Sequence, residues 1–180
     1  MFMHDLEHTG ESKDVVKPPL EKVWEYETGG WIFSSPAISG DYLYIGSWDG
    51  KVYCLNKITG KKIWEYKTGN AVQSSPAISG DYLYIGSGDK KVYCLNKTTG
   101  KKEWEYKTGD DVKSSPAISG NYLYIGSYDN KVYCLNKNTG SKKWEYNTGG
   151  WIFSSPAISG DYVYIGSWDS WEGKLYCLNK

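Results

Sequence analysis

The chain has 180 residues, with 21 Lys, no Arg, 21 Asp plus Glu and a formal net charge of zero. That balance excludes a nucleic-acid binder driven by charge, which needs a basic surplus and usually arginine forks, and no apolar run approaches the ~20 residues of a membrane-spanning helix. One domain of this length buries roughly 70% of its unfolded surface, so it needs no metal or disulfide staple. The 16% aromatic content and 21 Gly point to an all-β protein with many turns.

Residues 1–20 are polar, end in Pro18-Pro19, and read as a flexible lead-in. They carry acids and no apolar h-region, so no signal peptide is expected; the chain as given reads as cytoplasmic, and the sequence leaves the compartment open. From residue 21 onward the sequence repeats. SSPAISG occurs at 34–40, 74–80, 114–120 and 154–160, and CLNK at 54–57, 94–97, 134–137 and 177–180. The period is 40 residues, with a three-residue insertion in the last unit.

In the first unit, Ser35–Ser39, Tyr42–Ile45, Lys51–Leu55 and Ile63–Tyr66 read as short strands separated by turn-forming residues. Four antiparallel strands per unit of about 40 residues is the pattern of a β-propeller blade. A β-solenoid has shorter, parallel rungs and would not need a hairpin turn every ten residues or so. The last unit stops at Lys180, before its fourth strand, whereas residues 22–27 match that strand at the other end of the chain. The 21–180 segment therefore holds four blades if strand 22–27 completes the last one. An unpaired edge would invite aggregation, so closure is expected. Two chains exchanging this strand would form an eight-bladed homodimeric ring, in keeping with the preference for closed two-fold assemblies. The alternative is a four-bladed monomeric ring.

The stretch Cys54-Leu55-Asn56-Lys57-Ile58-Thr59-Gly60-Lys61-Lys62-Ile63-Trp64 resembles the tryptophan-docking motif of PQQ-like (pyrroloquinoline-quinone-type) propellers, Ala-x-Asp-x-x-Thr-Gly-Lys-x-x-Trp. It recurs at Cys94–Trp104 and Cys134–Trp144, with Cys in place of Ala and Asn in place of Asp. The resemblance covers residues 20–180. It implies that Trp24, Trp64, Trp104 and Trp144 dock between blades, with Cys54, Cys94, Cys134 and Cys177 as small packing residues beneath them. Equivalent blade positions lie too far apart for disulfides, and no CxxC spacing offers a metal site. Quinone enzymes of the family use a bound calcium, a catalytic Asp and an adjacent cysteine pair. No adjacent Cys pair and no Arg is present here, so no cofactor, metal or catalytic residue is expected. Asp49, Asp89, Asp129 and Asp169 read as turn residues rather than a calcium ring, because one carboxylate per blade cannot supply six to eight ligands. The outer-membrane assembly propellers of the same repeat class hold partners and no quinone, and the resemblance allows an exported or cell-surface protein.

The units differ mainly in two turns, which an up-and-down blade places on one face. That face gathers Trp31, Phe33, Trp48, Trp151, Phe153, Trp168 and Trp171, while the middle units place Gln73, Lys90, Asp110, Asp111 and Lys113 there. Exposed aromatic clusters mark partner surfaces, so the expected function is a non-catalytic binding or protein-interaction scaffold. Carbohydrate or small-ligand binding on the Trp-rich face is the alternative. Plain packing of these rings on one another, a quinone-dependent oxidoreductase, and an amplified or designed repeat without an evolved ligand are the competing readings.

Overall fold

The computed structural model describes residues 21–169 and 172–180. The lead-in assigned to residues 1–20 lies outside them. Among the described residues, fifteen strands form four antiparallel sheets. The first blade is β1 (Ala37–Ser39), β2 (Tyr42–Gly46), β3 (Lys51–Asn56) and β4 (Lys62–Lys67). The second is β5 (Ala77–Ser79), β6 (Tyr82–Ser87), β7 (Lys91–Asn96) and β8 (Lys102–Lys107). The third is β9 (Ala117–Ser119), β10 (Tyr122–Gly126), β11 (Lys131–Asn136) and β12 (Lys142–Asn147). The fourth comprises β13 (Ala157–Ser159), β14 (Tyr162–Asp169) and β15 (Glu172–Asn179). Strand order within each blade follows chain order, and the first strands β1, β5, β9 and β13 lie side by side.

Burial along the strands explains their composition. The four central residues of β3, β7 and β11 are all buried, because those strands are covered on both sheet faces. The outer strand β4 alternates, with Trp64 and Tyr66 half-buried and Glu65 exposed. Residues of facing blades then form shared cores. Tyr44, Val52 and Cys54 of the first blade pack with Val72, Leu83, Ile85, Tyr93 and Leu95 of the next unit. Tyr84, Val92 and Cys94 repeat this against Val112, Leu123, Ile125, Tyr133 and Leu135.

The docking tryptophans join blade to blade. Trp24 Nε1 donates to the Lys57 carbonyl at 3.1 Å, Trp64 to Lys97 at 3.0 Å and Trp104 to Lys137 at 3.0 Å. Each of these indoles also covers a glycine of the following blade. A Cβ on Gly60, Gly100 or Gly140 would stand 2.7 Å from the indole ring, so the seat requires glycine. These glycines have φ near +70°, a conformation that suits glycine in any case. Asn56 Oδ1 accepts the Ile58 and Thr59 amides and fixes the turn that presents this glycine. Cys54 lies opposite Trp64 in the same sheet, as Cys94 lies opposite Trp104 and Cys134 opposite Trp144. Burial pushes the Cys54 and Cys94 thiols up to about 12 and Cys134 to about 11, whereas Cys177 is exposed.

Two further links recur at all three internal junctions, and a third, through an aspartate, at the first two; at the last junction the Gly149 amide bonds Asn147 and the Tyr176 hydroxyl the Thr148 carbonyl instead. The amides of Ser35, Ser75 and Ser115 donate to the hydroxyls of Ser75, Ser115 and Ser155 at 2.8, 2.8 and 3.1 Å. Val72, Val112 and Ile152 fill the space left by Gly46, Gly86 and Gly126, where a Cβ would come within 2.5, 2.4 and 2.2 Å of them. Asp89 and Asp129 accept the Gly69 and Gly109 amides at 2.7 and 2.6 Å and a hydroxyl from Tyr93 and Tyr133, each at 2.5 Å. Asp49 repeats this with Gly29 and Tyr53 and also accepts the Lys51 amide. Burial would raise the Asp49 carboxyl, but hydrogen bonds from Tyr53, Gly29 and Lys51 outweigh it and hold the group below the usual carboxylate range. These aspartates serve as turn and cross-blade acceptors.

The last sheet has three strands, β13-β14-β15, and residues 22–27 form no ladder among the described residues. They run along the first blade, where Trp24 and Tyr26 pack against Ile45, Tyr53 and Leu55.

Two outcomes test these links. Trp104→Ala removes an indole shared by the second and third blades and should cost about 3 kcal/mol, read as a lowered urea midpoint. Asp49 has a folded pKa below its unfolded value of about 4, so its contribution is complete above that pH and is lost as pH falls through the folded value. The urea midpoint of Asp49→Asn should therefore lie below the wild type at neutral pH, and the gap should shrink on acidification below about pH 4.

Candidate functional site

The hairpin turn after the second strand of each blade meets the loop that leads into the first strand of the same unit. Backbone bonds lock the two together: Trp48 N to Trp31 O at 2.9 Å, Gly88 N to Ala71 O at 2.9 Å, Tyr128 N to Asp111 O at 2.9 Å and Trp168 N to Trp151 O at 2.8 Å. The variable positions of every unit therefore sit next to one another on one face. The conserved-pattern turns Gly40-Asp41 and Lys57–Gly60 lie at the opposite ends of the strands.

On that face the first unit builds one aromatic cluster. Trp31 and Trp48 have ring centroids 5.0 Å apart, Phe33 and Trp48 5.4 Å, and Trp31 and Phe33 6.2 Å. All three rings are exposed, Trp31 at 67%. The last unit builds a second cluster, with Trp151 and Phe153 6.1 and 6.0 Å from Trp168. These rings are exposed as well. Trp171 lies outside the described residues.

Tyr128 belongs to this second cluster, and the composition of the turns alone did not single it out. It occupies the repeat position of Trp48 and Trp168, and that equivalence was the available signal. Its ring is nearly parallel to Trp151 (8°, 5.7 Å) and lies 4.3 Å from Phe153, so it ties the third blade to the fourth. Lys113 Nζ stands 4.3 Å from the Tyr128 ring centre in a cation–π contact. Burial pushes the Tyr128 hydroxyl up to about 12. Between the clusters the face is polar, with Lys90 paired to Asp110 at 2.9 Å.

The chemistry available here is stacking and apolar contact. Ser34 is committed to the backbone, because its hydroxyl accepts the Gly46 amide at 3.1 Å and donates to the Ser35 carbonyl at 3.3 Å. Ser74 and Ser114 repeat the arrangement with Gly86 and Gly126. The raised Cys54, Cys94 and Cys134 thiols sit in interblade cores, unsuited to nucleophilic work. Among the described residues no three His, Cys, Asp or Glu side chains gather as a metal cluster would require. At the opposite end of the strands, a cleft of about 370 Å³ lined by Tyr124, Cys134, Trp144 and Lys180 holds no paired acid and base.

Similar structures share this architecture. BamB from Moraxella catarrhalis superposes with a TM-score of 0.72 at 23% identity, over 87% of this chain and 49% of that one. The computationally designed Ika4 protein gives 0.76 at 16% identity, over 88% of this chain and 98% of the other. The quinohemoprotein alcohol dehydrogenase ADHIIG from Pseudomonas putida HK5 gives 0.70 at 16% identity, over 80% and 29%. The chain thus spans about half the length of the BamB structure, and at these identities the likeness is one of fold. No curated protein matches the sequence. A family model described as outer membrane protein assembly factor BamB matches residues 16–112 and 108–180, and with four repeated antiparallel blades joined by docked tryptophans the chain belongs to this family of PQQ-like β-propellers.

Proposed function

We propose that the chain is a non-catalytic propeller scaffold that associates with itself and holds a partner protein on its aromatic face. One observation carries the binding role: two clusters of exposed Trp and Phe, set on backbone-locked turns of a rigid β framework, occupy the face where the repeats differ. Large aromatics on fixed backbone lose little entropy on binding and are common interface anchors. The partner that fits is an extended peptide segment with apolar side chains, which would enter between the rings while its backbone meets the polar sector around Lys90 and Asp110. The name of the matching family, an assembly factor, agrees with partner binding.

The nearly parallel Tyr128–Trp151 pair supports a second reading, in which flat ring faces take a sugar. Tryptophan fluorescence separates the two. Peptides rich in aromatic and branched aliphatic residues should shift the emission on titration, and oligosaccharides should not. Trp31→Ala and Trp151→Ala should each weaken peptide binding roughly tenfold or more, as for interface hot spots, with circular dichroism unchanged because both rings are exposed. A response to oligosaccharides alone would move the assignment to carbohydrate. Stoichiometric binding of pyrroloquinoline quinone with calcium would replace the scaffold role by an enzymatic one.

A further inference from the structure

The two ends of the blade row expose opposite halves of a junction that is complete elsewhere in the chain. At the fourth blade, Leu175 occupies the position of Val52, Val92 and Val132, which are each 0% exposed, yet it is 78% exposed. Tyr164 and Cys177 are likewise uncovered, where Tyr44, Tyr84, Tyr124, Cys54, Cys94 and Cys134 are buried. At the first blade, Ile32 occupies the position of Val72, Val112 and Ile152, again each 0% exposed, and is 49% exposed. Ile45, Tyr53 and Leu55 form a core that lacks its facing half.

The local fittings agree. Gly46, Gly86 and Gly126 each receive a side chain from the next unit, while the nearest side chain to a Cβ on Gly166 would be Ser154 at 3.4 Å. The segment 22–27 is already seated on its own first blade through Trp24 and Tyr26, where the fourth strand of a preceding blade would stand. Among the described residues, no strand pairs with the outer edge of β15.

We infer that a second copy of this chain docks head to tail on these faces, that two such junctions close the pair, and that the junction assembles one continuous aromatic site from both subunits. Ile32 of the partner subunit fills the space at Gly166 and covers Leu175. The partner's segment 22–27 adds to β15 as its fourth strand, in the register that places Val52 opposite Tyr66 in the first blade. The Ser155 amide donates to Ser35 of the partner subunit, continuing the serine series. The aromatic consequence follows from the same repetition. Tyr128 of the third blade meets Trp151 and Phe153 of the fourth, so Trp168 of the fourth blade meets Trp31 of the partner subunit and the partner's Phe33. Neither chain alone holds the continuous row that runs from Tyr128 through Trp168 into the partner's Trp48.

This inference rests on the self-association in the proposed function and is independent of what binds there. Light scattering should give twice the 20.3 kDa chain mass. Leu175→Asp and Ile32→Asp both alter exposed side chains, so each variant should fold with unchanged circular dichroism and run at the single-chain mass. Mixing the two variants leaves one junction with both partners wild type, and a heterodimer of twice the chain mass should reappear. In the wild type, Cys177 should label with iodoacetamide at least several-fold more slowly than in either variant alone, in the mixture the rate averaged over the pair should fall by about half or more, and in both the tryptophan emission should lie further to the blue. A single-chain mass for the wild type, an open ladder of larger species, or variants that stay separate on mixing would each overturn it. Failure of peptide binding with the doubled mass intact would instead overturn the scaffold assignment alone.

Discussion

An indole seated on a glycine holds the blades in sequence. Trp64 and Trp104 each leave an outer strand, reach the next blade, cover a glycine with no room for a side chain, and donate to the carbonyl of the lysine three residues before it. The contact combines a large apolar area with one directional bond, so it fixes both distance and rotation between blades. Neighbouring features depend on that geometry. Valine or isoleucine enters beside Gly46, Gly86 and Gly126 only when the blades stand at this spacing, and the shared cores of facing sheets close around it.

The fold was legible in the sequence because the repeat is almost exact and every strand is short and flanked by turn residues. Strand limits shifted by only a residue or two, as with β1 beginning at Ala37 rather than Ser35. The aromatic face was legible for a topological reason: in an up-and-down blade two of the four turns must share a side, and the bonds between Trp48 and Trp31 show that they do. Less visible was the seat of the tryptophan. The resemblance pointed to the cysteine, but Cys54 is the cross-strand neighbour of Trp64 in its own sheet, and the surface met on the next blade is Gly100. A motif written along one unit does not show which of its residues meet across units.

Tyr128 was hidden for a related reason. Its partners Trp151 and Phe153 are 23 and 25 residues away and belong to the next blade, so no local pattern joins them. The exposed Leu175 and Ile32 were equally silent. Their residue types match those of the buried equivalents, and only their place at the two ends of the row leaves them uncovered. Sequence alone records what a position is suited to, whereas exposure depends on which neighbours are present.

The serine series along the inner strands has a direction. In every case the backbone amide of one unit points to the hydroxyl of the unit that follows, never the reverse. A unit inserted backwards would meet two donors at one end and two acceptors at the other. A whole unit removed or duplicated, however, would leave every remaining partnership satisfied. Change in this architecture is thereby quantised: selection can lengthen or shorten such a protein by entire modules while point-by-point drift at the spine is resisted, and near-identical units are what that asymmetry favours.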